Sequence, residues 1–158
     1  MQEKGRFEIF EDYRLRVGEV TDDSDPPRGV AVAQQRFDET ANPAAKAVSI
    51  TELGPPTGDE PGFAAEHLAA QLCLDKRADG LVDHEIFESI YNPGKLLLLV
   101  TWRDAETARQ WAPVARPDCG RLRHRGVRII RDYGMTDRHE APQFYPEIRQ
   151  QAHGVAAE

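Results

Sequence analysis

The chain has 158 residues, with 27 acidic and 20 basic side chains, a net charge of −7 and two cysteines, Cys73 and Cys119. One domain of this length buries a hydrophobic core without disulfide support, and two distant cysteines outside any CxxC or Cys/His spacing give no reason to expect a disulfide framework or a zinc site. The negative balance repels phosphate backbones, and the charged start of the chain with no apolar run of signal or membrane-spanning length points to a cytoplasmic protein with no nucleic-acid or membrane partner.

Residues 1–45 are charged and irregular and read as an N-terminal extension. Phe7–Glu11 and Tyr13–Val17 partly alternate as exposed-face strands do, Asp22-Asp23-Ser24-Asp25-Pro26-Pro27 reads as a loop, and Gly29–Phe37 is a second candidate strand that could pair with the first as a hairpin.

The core domain is expected over residues 46–136. Ala47–Leu53 alternates and is β-branched until Gly54-Pro55-Pro56 ends it, which predicts the first core strand. Phe63, His67, Leu68, Gln71 and Leu72 recur at helical spacing, so a helix is predicted over 60–74. A strand is predicted from Leu81 to Ile90, with Val82, His84, Ile86 and Ile90 on one face and Phe87 on the other. Asn92-Pro93-Gly94 turns the chain into a hairpin with Leu96–Trp102, a strand apolar on both faces that needs cover on both. A second helix is predicted from Asp104, with acids at its N-terminus and interruption at Pro113 or Pro117. The basic stretch Arg121–Arg128 reads as a solvated helix end or, alternatively, a local anion site, and Gly126–Gly134 closes the core as a last strand. Residues 137–158 form a polar tail in which Phe144 and Tyr145 stand between Pro142 and Pro146.

The order strand, helix, strand, strand, helix, strand predicts an α+β, ferredoxin-like βαββαβ core with a four-stranded antiparallel sheet and helices on one face. Two copies packed sheet to sheet as a dimeric α+β barrel would cover the bare face. The run Phe87-Glu88-Ser89 with Asn92-Pro93-Gly94, then Leu98-Leu99-Val100-Thr101-Trp102-Arg103-Asp104-Ala105-Glu106-Thr107-Ala108 and Trp111, resembles the antibiotic biosynthesis monooxygenase family. That resemblance covers about residues 46–136. It implies a dimeric barrel and oxygenation of an electron-rich aromatic or quinone-type substrate in an apolar pocket, often with no metal, flavin or haem. A haem-degrading branch of this fold uses an Asn, a Trp and a His about ten residues after that Trp. Trp111 matches the Trp, but Arg121 stands at the His position, and the first strand offers Ser49 and Thr51 with no Asn, so the triad is not carried over.

Six side chains are candidates for the site. His84, on an apolar strand face, fits a general base, a haem ligand or a plain core histidine. Trp111 joins it as a catalytic candidate through the resemblance, and Tyr133 through its place with Arg131 on the face of Val127 and Ile129. Trp102, Phe87 and Arg131 are the candidate substrate contacts, the Trp by stacking and the Arg by forked donors; core packing and a cross-strand salt bridge are the alternatives. His67 on the first helix reads as structural, His124 and His139 have no ligand-spaced partners, so no metal site is read, and no dinucleotide, Walker or GxSxG motif is present. The expectation is a cofactor-independent small-molecule monooxygenase that acts as a homodimer. A protein holding haem or an aromatic metabolite, with His84 as ligand, is the alternative, and a purely structural module is a third.

Overall fold

The computed structural model describes residues 14–30, 32, 45–55, 64–114, 120–134 and 138–140. Its elements are β1 (Leu15–Asp23), β2 (Ala47–Leu53), a 3-10 turn (Ala65–His67) that runs into α1 (Leu68–Gln71), β3 (Leu81–Glu88), β4 (Leu96–Trp102), α2 (Ala105–Arg109), β5 (Leu122–Tyr133) and β6 (Arg138–Glu140). The strands form one sheet in the order β1-β5-β2-β4-β3, with β6 paired to the far end of β5 and every pairing antiparallel. The part β5-β2-β4-β3 is the strand order of a ferredoxin-like core.

The central strands form where the sequence is most regular. Leu96–Trp102 pairs residue for residue with Ala47–Leu53 and, across the turn at Asn92-Pro93-Gly94, with Leu81–Glu88, where Val82 is inserted as an extra residue. Gly94 takes φ +77°, a conformation that side chains resist. Asp104 caps α2 by accepting from the Thr107 backbone N–H at 2.8 Å. That bond and the Arg103 guanidinium hold its carboxyl down at about 2. Leu53, Leu68, Leu72, Leu98, Val100 and Trp102 form the core between the sheet and the helices. Burying each large apolar side chain there contributes about 1.5–3 kcal/mol.

Three features of the sheet differ from expectation. The described extension contributes β1, which pairs with β5; residues 7–11 and most of 29–37 lie outside the described residues, as do residues 60–63 of the first helix and the aromatic tail at 144–145. The last strand begins at Leu122, four residues before the predicted Gly126, so the basic stretch is strand and not a helix end. Its charges find acids that are distant in sequence: Arg123 meets Asp23 at 2.7 Å, Arg128 meets Glu19 at 2.6 Å, Arg125 pairs with Glu52 and Arg121 with Asp25. Finally, Arg131 pairs with Val17 and Ile129 with Gly18, which leaves Ile130 as an extra residue that reverses side-chain alternation along β5. Arg131 and Tyr133 therefore leave the face of Val127 and Ile129, and Asp132 takes their place. Among the described residues no helix is long and apolar enough to cross a membrane.

Candidate functional site

Residues directly opposite in neighbouring strands share a face, so the registers fix the helix-covered side of the sheet. Trp102 lies beside Ala47, followed by Arg128 and Glu19; Val100 lies beside Ser49, Gly126 and Asp22; Leu98 lies beside Thr51 and His124. The small side chains at Ala47, Ser49 and Gly126 leave room above β2 for the large rings of Trp102 and Trp111.

These rings join a polar group. Trp102 is fully buried, and its Nε1 donates to Ser49 Oγ at 2.9 Å, which satisfies the indole inside the core. The Trp111 ring, just past the end of α2, lies 6.1 Å from that of Trp102 and 5.4 Å from the imidazole of His124, the latter nearly perpendicular at 76°. His124 Nδ1 is 2.8 Å from Thr51 Oγ1. Burial lowers the His124 pKa below its usual 6.5, with the Asp22 charge opposing that shift, so the ring is neutral at pH 7. With the proton on Nδ1 and donated to Thr51, Nε2 keeps a lone pair able to accept a proton. Trp111 Nε1, by contrast, is buried with no hydrogen-bond partner among the described residues, and so is Gln71 Oε1 on α1.

Of the residues singled out from sequence, Trp102 and Trp111 come together here. His84 lies on the same sheet face, opposite Val100, but three strands from β5, about 14 Å at the usual strand spacing. Beside it, Val100 and Leu98 are fully buried in the leucine-rich core. Phe87 is opposite Leu97 on the other sheet face and half exposed. Arg131 and Tyr133 occupy the distal part of β5, between Val17 and Leu15 of β1 and Glu140 and Arg138 of β6. Thr51, Ser49 and His124 join the cluster although they are not among the six candidates named from sequence. The alternation Leu122, His124, Gly126 was the available signal, hidden by the intervening arginines.

The other face holds a separate cluster. Asp132 is buried and accepts both donors of Arg14 at 3.0 and 2.7 Å, while Arg16 lies 3.7 Å from it and donates to Thr101 at 2.9 Å. Among the described residues no group of three or more His, Cys, Asp or Glu side chains could hold a metal ion.

No family model matches the chain, and no solved structure matches it. One curated relative is the jasmonate monooxygenase ABM of Pyricularia oryzae, 36% identical over an alignment of 150 residues that covers 92% of this chain and 64% of the relative. The chain thus spans a little under two thirds of the relative's length.

Proposed function

We propose that the domain is a small-molecule monooxygenase whose site is the helix-side cluster of Trp102, Trp111, His124 and Thr51, a reading supported by the similarity to the jasmonate monooxygenase ABM and by the resemblance to the antibiotic biosynthesis monooxygenase family. The observation that carries this is an imidazole held by Thr51 and packed edge-to-face with an indole at 5.4 Å, where burial favours its neutral form. Such a pair stacks a flat ligand and accepts a proton from it.

The substrate class we propose is a ring compound that becomes electron-rich on losing a proton. Phenols and hydroquinones qualify, as do enolisable cyclic ketones, the class to which jasmonate, named for the relative, belongs. Proton loss to His124 gives a phenolate or enolate and an imidazolium. In the form that takes all its electrons from the substrate, a CH2 group and O2 become C=O and water. We propose that no resident cofactor is needed. Nothing favours haem at His84, where the neighbouring face is filled by the chain's own side chains.

A homodimer is part of the proposal. Ile50, Leu97, Leu99 and Val127 are partly exposed around the buried Val48 on the face away from the helices, rimmed by Glu52, Asp83, Glu85 and Arg125, and a second copy of the sheet would cover them. The test of function is oxygen uptake by the purified chain with anthrone, a hydroquinone and jasmonate. Uptake with a product of changed oxygen content supports the proposal, and no uptake with any of them overturns it.

A further inference from the structure

None of the nine residues of β1 is fully buried, and its apolar side chains Leu15 and Val17 are 45% and 41% exposed, whereas five of the seven residues of β2 are buried. Apolar burial therefore does little to hold β1 in place. Its ladder to β5 is also interrupted, at Val17/Gly18 and at Val20/Asp22, while that of β2 to β4 runs unbroken. Charge supplies the hold instead. Glu19 meets Arg128 at 2.6 Å, Asp23 meets Arg123 at 2.7 Å, and Asp25, just past the strand, pairs with Arg121. At the other end the signs are reversed, for Arg14, just before the strand, and Arg16 lie 2.7 and 3.7 Å from Asp132 of β5. The same segment grips His124. Ser24 Oγ accepts from the His124 backbone N–H at 2.8 Å, and the Ser24 N–H donates to the His124 carbonyl at 2.9 Å.

We propose that residues 14–25 form an ionic latch, a segment that opens as one unit when its ion pairs are weakened and that releases the main chain of His124 as it opens. Closed, the latch keeps β5 paired on both sides and His124 beside Thr51. Open, it leaves β5 with a bare edge at His124 and Gly126. Ionic strength thus sets how often the rim of the Trp111–His124 cluster is uncovered. The latch follows from the strand pairing alone and stands apart from the proposed reaction.

The test is amide hydrogen exchange followed by NMR, on the wild-type chain in 0.01 M and 1 M sodium chloride, between which the screening length falls from about 30 Å to about 3 Å. Asp23→Asn, Asp132→Asn and Glu106→Gln are compared with it at low salt. In the wild type, the β1 amides bonded to β5 and the amide of His124 should exchange together, faster than those joining β2 to β4. Their exchange should rise about threefold or more in 1 M salt. Either Asp→Asn variant should raise it about tenfold over the whole segment, because the arginine loses a charged acceptor. Glu106→Gln, which removes an exposed ion pair on α2, should leave it unchanged. Exchange in β1 no faster than in β2 and β4, or insensitive to salt, overturns the proposal. So does acceleration confined to the substituted end, or equal acceleration in β2 and β4.

Discussion

Thr51 on β2 and His124 on β5 stand directly opposite each other, with Oγ1 and Nδ1 2.8 Å apart. A fully buried hydroxyl thus fixes the orientation of the histidine that, among the described residues, touches Trp111. Removing the hydroxyl while keeping the shape tests that link. Thr51→Val should cost about 1 kcal/mol of stability, read by urea denaturation. It should also lower kcat more than it raises KM, because the imidazole loses its orientation and not its contact with the ligand.

The burial of His124 has a pH signature. Its pKa is lowered in the folded chain, so the unfolded chain binds the proton more readily. The stability associated with the neutral ring is present above the unfolded value of about 6.5 and is lost as pH falls below it. Melting temperatures between pH 7.5 and 5 should fall for the wild type and fall less steeply for His124→Gln.

Asp104 shows the acid counterpart. Its folded pKa lies at about 2, below the ordinary 3.8, so its contribution is full at neutral pH and disappears as pH drops from about 4 towards 2. Asp104→Ala removes the cap of α2, and its melting temperature should be about 2–4 °C lower at pH 7, with the difference shrinking in acid. Trp111 follows directly after this helix, so substrate affinity should weaken in the same variant.

Gly80 has φ +74°, and a Cβ there would run into the Thr107 side chain. Gly80→Ala should destabilise the chain by about 1–3 kcal/mol, measured by thermal or chemical denaturation. Gly29, also at positive φ but with nothing within 4 Å, lacks the clash and should tolerate alanine better.

The ferredoxin-like core was legible because its strands carry period-two alternation and its turns carry Pro and Gly. Leu96–Trp102 and Ala47–Leu53 appear at the predicted positions for that reason. Long-range pairing was not legible. Arg123 and Arg125 look like a solvated cationic run until Asp23 and Glu52 are brought beside them from other strands. The same arginines hid His124, whose apolar-face neighbours are two residues away along the strand. The extra residue Ile130 changed which of Arg131 and Asp132 follows Ile129 on its face, and nothing in the local pattern announces such an insertion. Arg121 stands ten residues after Trp111, whereas the imidazole in contact with the Trp111 ring belongs to His124.

The most direct measurement of the central claim is mass spectrometry of the product formed under labelled dioxygen, by the wild-type chain, His124→Gln and His84→Ala. The expected result is one labelled oxygen atom in the product of the wild type, with the rate for His124→Gln at least about tenfold below that for His84→Ala, in keeping with the usual contribution of a positioned base. Label absent from the product, or a rate that falls with His84 and not with His124, would contradict it.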